Sequence, residues 1–389
     1  MNNQQRRAIM ADEFAQSYGE MPTIWSRAPG RVDLMGSHTD YNQGFVLTLS
    51  IDRDTWIAAS PRADAHVKIQ SLNAAGCADF DLDDIQVDRA VPWTNYVRGV
   101  AYLLQSEGYP LRGWNGLIHS TVPITGGLSS SAALEVAAAL TFQQLGGWQI
   151  ESLPLALHCQ RAENQFVGVN CGILDQYSSV FGHAGCALFL DCRQLTSEPV
   201  PLHESIGIVI CDTRAKRELT GSEYSMRRAQ CEEGVQCLKK FHPQICALRD
   251  ISLAQLVAHA SALPEPVVRR CRFVIEENQR VLSARSILPT GAQDTIRALT
   301  AASFEGARDL YEIVSLEMER MMEAMLAAPG VIGARQAGAG FGGCMVALVE
   351  RHKIENFTAH VEQSYKAATG IEPHVFAVEA ASGAGKVEL

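Results

Sequence analysis

Residues 30–44, GRVDLMGSHTDYNQG, set Arg31, Asp33, His38, Asp40 and Tyr41 between glycines and leave almost no apolar side chain to pack. The stretch supplies a fixed cation, two carboxylates and an imidazole, which are groups that hold polar ligands and move protons. A second stretch, VPITGGLSSSAALEVAAALTF, places Gly126, Gly127, Leu128, Ser129, Ser130, Ser131 and Ala132 at the entry to an alanine-rich helix. Small residues open the backbone to a ligand, the first helical N–H groups lack an intrahelical partner, and the macrodipole favours negative charge. The segment is an anion site by construction. Its hydroxyls also suit Mg²⁺. It lacks the GxxxxGK[ST] spacing of a Walker loop, and taken alone it serves equally well as a capped helix start.

A third stretch, RAENQFVGVNCGILDQYSS, carries Glu163 at the end of a helix and Asp175 twelve positions later beside a glycine turn. Two carboxylates so placed can divide the labour, one holding a metal ion and the other taking a proton from an attacking hydroxyl. Alone, Asp175 reads more readily as the cap of a helix beginning at QYSSVF. The fourth, ARQAGAGFGGCMVALVE, packs Gly338, Gly340, Gly342 and Gly343 ahead of a strand-like run. Glycines before a strand are in the wrong order for a dinucleotide fingerprint, which excludes an NAD-binding reading. Beside the other constellations they form a second wall around the same anion.

Elements must position these groups. Strand signals fall at FVLTLSI, TWIAAS, HVKIQSL, LIHSTV, ALFLDC and IGIVICD. Helical periodicity falls at NYVRGVAYLLQSEG, SAALEVAAALTFQQLGG, LPLALHCQRAENQFVG, YSMRRAQCEEGVQCLKKFH and FEGARDLYEIVSLEMERMMEAM. The mixture predicts α+β layers with a junction near SEPVPLHES, dividing the chain into residues 1–205 and 206–389. The terminal ASGAGKVEL reads as a frayed tail. With 389 residues, 47% of them hydrophobic, two cores and a cleft are expected.

Composition excludes several classes. A net charge of −10 argues against a general binder of nucleic-acid backbones. No apolar run approaches a membrane span, and the polar start MNNQQRRAIMADEF has no signal segment, so a cytoplasmic protein is expected. Eleven cysteines without zinc spacing read as reduced, mostly buried thiols, and His119, His158 and His183 as surface or core residues.

Together the motifs resemble the galactokinase family of the GHMP kinase superfamily, in order and spacing over nearly the whole chain. Further quoted matches are WTNYVRGVAYLLQSEGYPL, ALFLDCR and SEYSMRRAQCEE. The resemblance implies a two-domain α+β GHMP kinase fold with the active site in the interdomain cleft. It implies a cytoplasmic sugar 1-kinase, monomer or homodimer, using ATP and Mg²⁺ with no nucleic-acid or membrane partner. Carried over, Asp175 is the catalytic base with Arg31 as electrostatic partner, and Ser131 and Glu163 hold the metal. Phosphate contacts fall on Gly126 to Ala132, and sugar contacts on Asp33, Ser37, His38, Asp40, Asn170, Cys171, Gly172 and Tyr224.

Two positions depart from the family, which ordinarily carries asparagine and glutamate where this chain has Asp33 and Ser37. That glutamate resembles an acceptor for the sugar's C6 hydroxyl, so its loss leaves two expectations. Ser37 and a water replace the contact and galactose stays the substrate, or the pocket admits a sugar extended or charged at C6, such as a uronic acid or a higher-carbon sugar phosphate. Arg214, Lys216 and Arg217 would then supply cations. A non-catalytic sugar and ATP sensor is the alternative from another class. Mevalonate or homoserine kinase activity is disfavoured, because those families do not resemble SHTDYNQG.

Overall fold

The computed structural model describes residues 2–124, 126–215 and 220–387. The first part runs α1 (Asn3–Tyr18), β1 (Ile24–Met35), β2 (Phe45–Pro61), β3 (His66–Ser71), β4 (Cys77–Asp81), α2 (Asn95–Ser106), β5 (Trp114–Ser120) and α3 (Ser130–Gly146). It continues through α4 (Ser152–Ala162), α5 (Leu174–Phe181), β6 (Cys186–Asp191) and β7 (Thr196–Pro201). The second part comprises β8 (Ile206–Asp212), α6 (Thr220–Lys239), α7 (Leu253–Ala258), α8 (Glu265–Ile287), α9 (Gln293–Glu305) and α10 (Leu316–Ala327). It ends with β9 (Val331–Gln336), β10 (Cys344–Glu350), α11 (Ile354–Thr369), β11 (His374–Val378) and β12 (Gly385–Lys386). The α+β expectation holds.

The seventeen-residue β2 is the spine of an eight-stranded sheet. Its second half pairs with β5, which continues to β3 and β4, and its first half pairs with β6, which continues to β7. FVLTLSI and TWIAAS, expected as two strands, are therefore one, because Ser50 pairs with Arg31 and Asp54 with Pro29, so β2 runs on across the irregularity between them. β1 lies antiparallel to β2, with register shifts between Pro29 and Arg31 and between Asp33 and Met35. Irregularities of this kind bend a strand and re-aim its side chains, and here they bracket Arg31 and Asp33. A four-stranded antiparallel sheet, in the order β11-β8-β10-β9, takes all its strands from residue 206 onward.

Val32, Leu34 and Leu49 from the first sheet share a core with Ile208, Ile332 and Val346 from the second. α2, α3 and α4 cover the first sheet, and α10 and α11 cover the far face of the second. α3 is apolar on nearly every side, with Ala132, Ala133, Val136, Ala137, Ala138, Ala139 and Phe142 all fully buried, which is why alanines dominate it.

The predicted helix over FEGARDLYEIVSLEMERMMEAM is broken. A π-helical turn at Gly306–Tyr311 follows α9, Glu312 takes a left-handed φ of 54°, and Ser315 caps α10 by accepting from Met318 N. Buried Arg227 holds the break, donating from Nε to Tyr311 O at 2.6 Å and from Nη2 to Glu312 O at 3.0 Å. The tail is not frayed over residues 382–387: β12 pairs with Ser26 and Arg27 of β1, and Ala384 N donates to Ser179 O. The eleven cysteines form no disulfide among the described residues, six of them are buried, and no helix among the described residues is long and apolar enough to cross a membrane.

Candidate active site

α3 opens directly on the loop Gly126–Ser129, with Gly127 and Ser129 both left-handed at φ 77° and 60°. No side chain caps the helix, so its first N–H groups remain available to a ligand. Leu128 and Ala132 are fully buried and turn their side chains into the core, while Gly126 O accepts from Cys344 N. Gly127, Ser129, Ser130 and Ser131 instead line a cavity of about 420 Å³, whose far walls carry Trp93, Tyr96, Ile118 and Leu134. Ser129 Oγ is buried there without a hydrogen-bond partner.

A second cavity, of about 490 Å³, is lined by Arg31, Asp33, Ser37, His38, Asp40, Glu163, Asn170, Cys171, Gly172, Asp175 and Tyr224. Every residue that the sequence assigned to sugar contact is among them. Arg31, Tyr96, Asp175 and Ala339 line both cavities and form their common wall. Within that wall Arg31 donates from Nη2 to Asp175 Oδ1 at 2.5 Å and from Nη1 to Gly127 O at 2.8 Å. Asp175 lies in the first turn of α5 but does not cap it, because its carboxylate is on Arg31. Arg31 is nearly buried; desolvation opposes its charge, yet Asp175, Asp33 and Asp40 outweigh this and raise its pKa, so it stays a cation.

Asp40 approaches the turn after α4 so closely that a Cβ at Gly172 would stand 1.7 Å from its Oδ2, so any side chain there would displace the carboxylate. Burial and then the charge of Asp175 push the Asp40 carboxyl up to about 6. Glu163, where α4 passes into a π-helical turn, is raised to about 7 by burial and then Asp175. His38 uses both ring nitrogens on the protein: Nε2 stands 3.0 Å from Ala339 O and Nδ1 2.8 Å from the Tyr41 hydroxyl. Tyr224 packs its ring 5.5 Å from those of His38 and Tyr41, and Asn170 accepts from Arg228. The glycine run 338–343 is the β9–β10 hairpin loop. Gly338 N donates to Asp33 Oδ1 at 2.6 Å, and a Cβ on Gly338 would meet Gly127 O at 2.8 Å, so the two glycine loops touch.

Comparison with known proteins fits this arrangement. Residues 12–61 match the galactokinase galactose-binding signature, 95–183 the GHMP kinases N terminal domain, and 292–367 the GHMP kinases C terminal. A protein of Roseiflexus sp. (strain RS-1) named galactokinase is 45% identical over 378 residues, covering 97% of this chain and 96% of that one. The chain belongs to the galactokinase family. A second galactokinase, from Chloroflexus aggregans, is 43% identical over 357 residues, 92% of each chain. The structure of Lactococcus lactis galactokinase complexed with galactose superposes with a TM-score of 0.93 at 34% identity, over 98% of this chain and 99% of that one. Methanococcus jannaschii mevalonate kinase, with a TM-score of 0.66 at 14% identity, shares the fold alone.

In this galactokinase-family chain the sequence reading missed Tyr96 on the common wall and Glu135, which lines neither cavity. Tyr96 lay inside a helical pattern and carried no other signal. Glu135, one turn into α3, is fully buried, and desolvation followed by Glu163 raises its carboxyl well above the usual range. Gln176 joins the two acids, donating from Nε2 to Glu135 Oε2 at 2.9 Å and to Glu163 Oε2 at 2.6 Å. Of the cations expected for a charged sugar, Arg214 is not among the residues that line the chamber. Arg214 is largely exposed and pairs with Asp212, and Lys216 and Arg217 lie outside the described residues.

Proposed function

We propose that the protein is an ATP-dependent sugar 1-kinase, transferring the γ-phosphoryl group of ATP to the anomeric hydroxyl of galactose or a close relative. One observation carries the reading: Asp175 and Arg31 stand on the wall shared by an anion-binding cavity and a cavity lined by hydrogen-bonding side chains. The larger share of apolar surface in the first suits a base and ribose, with the Ser129–Ser131 loop toward the phosphates. The second suits a polyhydroxy ring.

The anomeric hydroxyl is a poor nucleophile at neutral pH. Asp175 accepts its proton as the sugar oxygen bonds to the γ-phosphorus and the bond to the β-phosphate oxygen breaks, releasing ADP. Arg31 pairs with Asp175 and faces the charge that develops on the transferring group. The donor set also fits Mg²⁺: Glu163 and Ser131 border the loop, and the cluster of Glu135, Glu163 and Asp175 is an excess of acid that a cation would balance. Bound by Glu163, Ser131 and ATP oxygens, Mg²⁺ would neutralise phosphate charge. Gln176 holds the Glu163 carboxylate in orientation for that role.

Sugar-dependent ADP release from the purified protein tests the class, and its absence would leave a binding protein rather than an enzyme. Asp175→Asn should lower kcat by about 10²-fold or more, the usual share of a general base, with folding and nucleotide affinity retained. Wild-type turnover in that variant would remove Asp175 from the role.

A further inference from the structure

The loop 168–172 supplies five consecutive residues to the wall of the sugar chamber, and Tyr224 and Ser225, near the start of α6, supply another part of it. The loop follows the π-helical turn Glu163–Val167 and is tied to it at its root. Gly168 N and Val169 N both donate to Glu163 O, at 2.9 and 3.1 Å, and Cys171 N donates to Asn164 Oδ1 at 3.0 Å. Its tip is exposed at Val169 and Asn170. A short exposed loop with few buried apolar contacts opens at little cost unless something holds the tip.

The hold comes from the second part of the chain. Arg228, one turn beyond Tyr224 on α6, lines neither cavity. Its Nη1 donates to Asn170 O at 3.1 Å and to Asn170 Oδ1 at 3.0 Å, and the two protons on that nitrogen suffice for both acceptors. Nε donates to Glu232 Oε1 at 3.1 Å one turn further on, and the guanidinium carbon lies 5.8 Å from the centre of the Tyr41 ring. The side chain is therefore aimed from both sides. α6 itself is a firm post, since Cys231, Val235 and Leu238 share a core with Val267, Cys271 and Val274 of α8. We propose that Arg228 and Asn170 form a latch across the sugar chamber, in which Arg228 is a positioning residue that keeps the loop 168–172 closed on bound sugar. A displaced loop withdraws Gly172 from the Asp40 carboxylate it packs against, while Asp175 on α5 and Arg31 on β1 keep their pairing. Loss of the latch thus falls on how tightly the sugar is held and spares the phosphoryl-transfer step.

This inference rests on the sugar-kinase reading, which sugar-dependent ADP release tests separately. Its own test combines galactose titration calorimetry, kcat and KM with hydrogen exchange, which reports on the loop without any sugar. Arg228→Ala should weaken galactose binding and raise KM about tenfold, as expected for a charge-assisted hydrogen bond partly open to solvent, with kcat within about twofold and affinity for a nonhydrolysable ATP analogue unchanged. Arg228→Lys, which keeps the charge but not the fork, should recover part of the loss. The amides of 168–172 should exchange faster in Arg228→Ala than in wild type, and those of α5 should not. Asn170→Ala removes one of the two acceptors, so Arg228→Ala should cost less in that background than in wild type. Unchanged galactose affinity, a fall in kcat at constant KM, exchange that quickens over the whole molecule, or full additivity with Asn170→Ala overturns the proposal.

Discussion

His38 is held as a neutral ring, and the reason is its surroundings. Tyr41, Tyr224 and Tyr311 pack about it, Ala339 O takes its Nε2 proton, and the charged groups acting on it are Asp33, Arg227 and Arg335. Burial dominates and lowers its pKa from 6.5 to about 4. Between those values the unfolded chain binds more protons than the folded one, so the stability His38 contributes is complete above pH 6.5 and is lost as pH falls toward 4. The shift corresponds to about 3 kcal/mol. Asp40, raised to about 6, acts with the opposite sign, since its ionisation above that pH costs stability; being present in both proteins, it cancels in a comparison. Urea unfolding of wild type and His38→Gln at pH 7 and pH 4 should give a wild-type loss larger by about 3 kcal/mol. Parallel losses would contradict the assignment. At this scale the sequence was legible where chemistry-bearing types cluster, as at Arg31, Asp40 and Asp175. It was not legible at Glu135, because an acid in an alanine-rich helix reads as solvent-facing until packing closes every side of the helix.

Elements were legible where burial follows a simple period. β1 escaped because residues on its site-facing side are polar and its glycine and proline break the alternation, although nearly all of Ala28–Met35 is buried. α8 escaped because its charges look solvated, whereas Arg270, Glu277 and Arg280 are buried and paired. The break at Glu312 depends on Arg227, far away in sequence, so no local pattern announces it. The β9–β10 loop has a legible glycine run whose purpose only appears in contact. Gly338 is left-handed at φ 70° and presses on the Gly126–Ser129 loop at Gly127 O. Gly338→Ala adds a left-handed penalty of about 1–2 kcal/mol and pushes the loops apart. The expected outcome is a fall in thermal midpoint together with nucleotide affinity weakened about tenfold, measured by calorimetry with a nonhydrolysable ATP analogue. Unchanged nucleotide affinity would separate the two loops functionally.

Across the whole molecule, the strands up to residue 201 and those from 206 onward fall in different sheets, apart from β12, which returns to β1. That return was invisible in a small, polar segment, since edge pairing needs backbone groups and not side-chain pattern. One feature spans the molecule in a different way. The guanidinium of Arg31 is tied on one side to the carbonyl of Gly127 and on the other to Asp175, so a ligand that fixes either cavity also fixes the tether between them. Linkage then demands reciprocity: the factor by which an unreactive nucleotide tightens sugar binding must equal the factor by which sugar tightens nucleotide binding. Calorimetric titrations in both orders should return one common factor of about fivefold or more, and Arg31→Ala should bring it toward unity. A factor of one in the wild type would mean that the two chambers fill without regard to each other, and that random encounter, rather than synergy, governs how the ternary complex forms.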